Sequence, residues 1–84
     1  MTTAPKAAIS LTRAKWLATD AAAKNGLALA IHSAEWAYSK PMPFYGGKPG
    51  VWRMAIVVGH ANGNPCRLSV TMRSDKSASV SGRF

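Results

Sequence analysis

Eighty-four residues with 48% apolar side chains and a formal net charge of +8 describe a small, strongly basic chain. That apolar content excludes an intrinsically disordered composition, and no run approaches the roughly 18 apolar residues of a membrane span. The one cysteine, Cys66, excludes an internal disulfide and a cysteine-rich metal site, and points to a reducing, cytoplasmic setting.

Residues 1–9 read as a flexible lead-in, because no long apolar run stands behind Lys6 to make a secretory signal. Residues 10–84 read as one small α+β domain. A chain of this size buries only about 60–65% of its unfolded surface, so its core has little margin.

The first predicted element is a helix over about 11–25. Leu11, Ala14, Leu17, Ala18, Ala21 and Ala22 share one side of a helical wheel. Ser10 is placed to cap its start, and Asn25-Gly26 to stop it. The stripe is mostly alanine, so whatever covers it must come close. Trp16 falls off the stripe.

Residues 27–38 are ambiguous. As a helix, Leu27, Ala30, Ile31, Ala34 and Tyr38 form a face; as a strand, the alternation is poor and alanine too frequent. A second helix is therefore expected. The alternative is one helix on a four-stranded sheet. The Ala22…Gly26-Leu27 spacing weakly suggests a helix-turn-helix, but residues 28–35 offer little Arg, Gln or Asn to read base edges.

Residues 39–50 contain Pro41, Pro43, Gly46, Gly47, Pro49 and Gly50 among Met42, Phe44, Tyr45 and Lys48. That density of Pro and Gly predicts a long loop. Val51 to Gly59 then reads as a strand with Trp52, Met54, Ile56 and Val58 on one face. After a turn at 62–65, Cys66, Leu68, Val70 and Met72 alternate with Arg67, Ser69, Thr71 and Arg73. Period two over eight residues means a strand with one face on a core and one in water. Ser74-Asp75-Lys76 leads to a last strand through Ala78 and Val80 to Phe84. The expected architecture is one or two helices on one face of an antiparallel three-stranded meander.

Matching the apolar faces sets the expected register: Val58 opposite Leu68, Ile56 opposite Val70, and Met54 opposite Met72. This needs an odd-numbered turn, because a two-residue Asn-Gly turn would expose Trp52, Met54 and Ile56. The same reasoning places Val70 opposite Val80 and Cys66 opposite Phe84. On the open face Arg53 then meets Arg73, and Arg67 meets Arg83. Like charges directly across strands repel, so four of the chain's five arginines would gather unrelieved on one face. Arginine forks match phosphate oxygens.

The expected function is therefore nucleic-acid binding, single-stranded RNA or DNA favoured, through Arg53, Arg67, Arg73 and Arg83, helped by Lys48 and Tyr45. Tyr45, Phe44, Trp36, Tyr38 and Trp16 are the candidate stacking aromatics, and Trp52 is expected in the core and excluded from base stacking. The first alternative is an inhibitor or accessory protein of phage or mobile-element type that docks on an acidic protein surface. The second is a small ribonuclease using His32 or His60 with Arg67 or Arg73, although nothing in the sequence brings the two histidines together. No cofactor is implied. Two histidines, one cysteine and three acids are too few and too scattered to predict a metal site.

Overall fold

The computed structural model describes residues 7–45 and 47–83; for Pro43, Phe44, Tyr45, Lys48 and Arg83 it describes the backbone only. One helix packs on a four-stranded antiparallel sheet. Helix α1 spans Leu11–Lys24, followed by strands β1 (Leu29–Tyr45), β2 (Lys48–Ala61), β3 (Asn64–Arg73) and β4 (Ala78–Arg83). The strands lie in sequence order as a meander. The architecture is the four-stranded alternative rather than the three-stranded one. Among the described residues no helix is long and apolar enough to cross a membrane.

Helix α1 forms where the apolar period indicated. Ser10 caps it by accepting the Arg13 amide N–H at 3.0 Å. At the other end Gly26, at φ +74°, donates to the Ala23 carbonyl, and Leu27 donates to the Ala22 carbonyl. This is the paired bonding of a Schellman stop, which favours glycine at the left-handed position. Ala14, Ala18 and Ala22 are completely buried against the sheet. Leu11, Leu17 and Leu27 close the margins of that contact.

Residues 27–38 do not form a second helix, so the helix-turn-helix expectation falls with it. They belong to β1, and their alternation is broken by irregularities at two places. Register shifts occur between Ile31 and Ser33 and between Trp36 and Tyr38. Each extra residue turns a two-residue interval into a three-residue one, so Ile31 and Ala34, both packed against the core, are spaced as on a helix.

The expected loop at 39–50 is strand over 39–45 and 48–50, with Gly47 in a turn. Pro41 lies on β1, an edge strand, and Pro49 lies on β2 beyond the point where β3 ends. Proline is tolerated at both kinds of position because no ladder partner is lost on the open side. Past the Lys40↔Trp52 pair, β1 and β2 continue as a two-stranded ribbon, which contributes to a long axis of 44 Å. Ser74 ties the ribbon's root to the body: its Oγ accepts the Val51 amide at 2.8 Å and donates to the Val51 carbonyl at 2.9 Å.

The β2–β3 register differs by one residue from the expected one. The turn is the two-residue Asn62-Gly63, with Ala61 opposite Asn64, Val57 opposite Leu68 and Ala55 opposite Val70. Asn62 at φ +50° and Gly63 at φ +84° have the positive angles of a type I′ hairpin turn. Asn62 also clamps Ala28, accepting its amide on the side chain at 2.8 Å and donating its own amide to the Ala28 carbonyl.

Burial explains the choice once the helix is considered. A stripe of alanines approaches closely, and Ala55, Val57, Gly59 and Ala61 leave room for it. Trp52, Met54 and Ile56 would hold it away. The core is completed by Cys66, Leu68, Val70 and Met72 from β3, the face read from the alternation.

The β3–β4 register agrees with expectation: Val70 lies opposite Val80 and Arg67 opposite Arg83. The connection is Ser74-Asp75-Lys76, closed by Arg73 donating to the Ser77 carbonyl. Phe84 lies outside the described residues.

Two substitutions check this packing. Ala18→Leu, which drives a larger side chain into a filled contact, is expected to cost about 1–3 kcal/mol in urea unfolding. Leu68→Ala is expected to cost about 2–5 kcal/mol. Unchanged stability in Ala18→Leu would mean that the helix does not approach the small face of β2.

Candidate nucleic-acid interface

The sheet has one face under α1 and one open face. Because β2 pairs with β3 without a break from Trp52↔Arg73 to Ala61↔Asn64, parity assigns every residue between them. Trp52, Met54, Ile56, Val58 and His60 of β2 lie on the open face with Arg67, Ser69, Thr71 and Arg73 of β3. From β1, Ser33, Glu35, Tyr38 and Lys40 join them as partners of Val58, Ile56, Met54 and Trp52. Ser79 and Ser81 come from β4.

Trp52 is therefore not a core residue. Its ring meets that of Tyr38 edge to face, with centroids 5.3 Å apart at 71°. The Lys40 ammonium lies 5.4 Å from the Tyr38 ring centre and 5.5 Å from that of Trp52. Directly across on β3, Trp52 has Arg73 as its partner. Two aromatic rings and the Lys40 ammonium thus form one cluster at the end of the open face where the ribbon begins, with Arg73 as the cross-strand neighbour of Trp52. Tyr38 is 42% exposed and accessible from solvent.

Of the arginines expected to converge, the structure brings Arg67 and Arg73 to this face. Arg83 is the register partner of Arg67, and its side chain lies outside the described residues. Arg53 does not belong with them. It pairs with Met72 on the helix side, because the register differs by one residue, and its guanidinium stacks 3.9 Å from the Trp36 ring centre. Tyr45 and Lys48 pair with each other at the ribbon's end, and their side chains too lie outside the described residues.

Arg73 is partly engaged by the adjoining turn, its guanidinium reaching the Ser77 hydroxyl at 3.5 Å. The same turn holds Asp75. Its carboxylate accepts from the Ser77 hydroxyl and from the Ser77 amide, and with the positive charge of Arg73 nearby its pKa lies below the ordinary carboxylate value.

At the other end of the open face, the structure joins two residues that the sequence left apart. His32 Nε2 and His60 Nδ1 lie 2.9 Å from each other, and the rings meet edge to face with centroids 4.9 Å apart. One ring nitrogen donates to the other. That contact leaves no space for a phosphate between the two nitrogens, as a bracketing acid–base pair would need. Met54, Ile56 and Val58 separate the histidines from the aromatic cluster. The eight residue steps from Trp52 to His60 span about 27 Å at the rise of a strand.

Tyr38 is one of the expected stacking aromatics, whereas Lys40 and Trp52 are not among the expected site residues. The signal for them was the Asn62-Gly63 dipeptide, a strong hairpin mark. Taken as a two-residue turn, it puts Trp52 opposite Arg73.

No family model, curated protein or solved structure matches this chain.

Asp75 yields a pH test. A carboxylate whose folded pKa is depressed stabilises the fold above its unfolded value, near 3.8, and that contribution disappears as pH falls through the folded value. Asp75→Asn is expected to lower the denaturation midpoint at pH 6, with the gap from the unsubstituted protein closing below about pH 3.8. A gap that stays constant from pH 6 to pH 2.5 would contradict it.

Proposed function

We propose that the chain binds single-stranded nucleic acid on the open face of its sheet. The observation that carries this reading is the cluster of Trp52, Tyr38 and Lys40, with Arg73 across from Trp52 on the next strand. Single strands are held by a basic surface together with aromatic rings on which bases stack. Tyr38 and Trp52 are the stacking platform in this reading, and Lys40, Arg73 and Arg67 neutralise successive phosphates. Ser69, Thr71, Ser79 and Ser81 add hydroxyl donors along the same face. A net charge of +8 supports a polyanionic partner over a neutral one. Lys48, Tyr45 and Arg83 extend the interface beyond this cluster.

A second reading has one observation in its favour. Met54, Ile56 and Val58 form an apolar strip on the open face, with Val58 38% exposed, which suits a protein partner better than a phosphate chain. An accessory protein docking on an acidic surface would use that strip as its centre and the arginines as its rim.

The test is fluorescence anisotropy with labelled single-stranded RNA and DNA, across about 50 to 200 mM salt. Trp52→Ala is expected to lose about 1–3 kcal/mol, a five- to 150-fold weakening. Arg67→Ala with Arg73→Ala is expected to flatten the log–log salt slope by about 1.4 for two phosphate contacts. Arg53→Ala, on the opposite face, is expected to leave affinity nearly unchanged. Equal affinity in Trp52→Ala and the unsubstituted protein would overturn the stacking platform. Absence of binding to either oligonucleotide would favour the protein-docking reading.

A further inference from the structure

We propose that His32 and His60 form a two-histidine chelate for a borderline divalent transition-metal ion such as Zn2+ or Ni2+. Counting ligands along the chain argued against a metal; the fold changes the question by making two imidazoles converge. His32 Nε2 and His60 Nδ1 are 2.9 Å apart. Two nitrogens each about 2.0–2.1 Å from one ion, in adjacent coordination positions, stand about 2.9–3.4 Å from each other. The observed separation therefore matches a chelate, provided the rings rotate so that each lone pair swings off the line between the two nitrogens to a common point; His32 is exposed and has room to turn.

The backbone around the pair is specifically arranged. His32 is the extra residue of an irregularity in β1, between the pairs Ile31↔Gly59 and Ser33↔Val58. Irregularities of this kind re-aim a side chain, and here the ring is brought onto that of His60. The irregularity presses β1 against β2 at Gly59. A Cβ on Gly59 would lie 2.0 Å from the Ala30 carbonyl oxygen and 2.9 Å from Ile31 Cα. Glycine at 59 is thus what lets the two strands approach closely enough for the rings to meet.

The surroundings select the kind of ion. Imidazole nitrogen suits zinc, nickel and copper, whereas magnesium and calcium demand oxygen ligands. Arg67, partner of Val58 on the neighbouring strand, and the chain's net charge of +8 disfavour any cation held by charge alone. Ions bound through strong coordinate bonds overcome that repulsion better than hard ions do. Chelation needs no net loss of a proton from two neutral rings. The hydrogen between the facing nitrogens moves to the outer nitrogen of its own ring, and both facing lone pairs then bind the ion. Two protein ligands leave the remaining positions to water on the open face. This site is distinct from the aromatic cluster of the nucleic-acid reading, which lies at the other end of the open face, although Arg67 neighbours the histidines.

Isothermal titration of the full chain, free of any affinity tag, with zinc or nickel chloride in a non-coordinating buffer tests the proposal. One ion per chain with micromolar affinity is expected. His32→Gln and His60→Gln should each weaken binding at least tenfold, with unchanged circular dichroism, and Cys66→Ala should leave it unaltered. Arg67→Ala should tighten it by removing a nearby positive charge. Absence of binding at millimolar metal would overturn the chelate, as would equal affinity in the His32→Gln/His60→Gln double variant.

Discussion

The contact on which this structure depends is the close approach of an alanine stripe to the small-residue face of one strand. Ala14 and Ala18 meet a surface that includes Ala55, Val57 and Ala61, and Ala22 is fully buried on the same helix. Small side chains on both elements let the helix lie low on the sheet, where close approach favours dispersion contacts. The Asn62-Gly63 turn enforces the matching register, since both of its residues adopt positive φ. A one-residue slip would reverse the faces of β2 and put Trp52, Met54 and Ile56 beneath the helix.

The open face is the other side of that same choice. Burying the small residues of β2 leaves its large ones outside, next to the polar side of β3. Trp52 thereby lies across from Arg73, and beside Tyr38 and Lys40, where the two rings and the Lys40 ammonium interact. Core packing and the candidate binding surface are two outcomes of one register. Irregularities in β1 act on top of this. The one at His32 sets the histidine pair, and Gly59 makes the room for it.

How far the sequence could be read depended on whether an element had one apolar face or two. Helix α1 and β3 each have one, and their buried faces followed from periodicity and the helix start from Ser10, although β3 begins at Asn64, inside the expected turn at 62–65. The β3–β4 register followed as well, because Val70 and Val80 have no competing partners. Strand β2 has apolar residues on both faces, so hydrophobicity could not choose between them, and the bulkier set was placed inside. The helix's alanines held the missing information: a small stripe wants a small partner. Strand β1 was hidden by extra residues that convert a period of two into intervals of three. The ribbon was hidden by prolines that its edge positions tolerate. Of the arginine cluster, Arg67 and Arg73 survive on the open face because β3 was read correctly, and Arg53 moves to the other side with the rest of β2.

The most direct measurement is a set of methyl–methyl nuclear Overhauser effects from Ala18 in the folded protein. Contacts from the Ala18 methyl to methyl groups of Ala55 or Val57, without any to Ile56 or Met54, are the expected result. Contacts to Ile56 or Met54 instead would reverse the faces of β2, returning Trp52 to the core and removing the aromatic cluster from the open face.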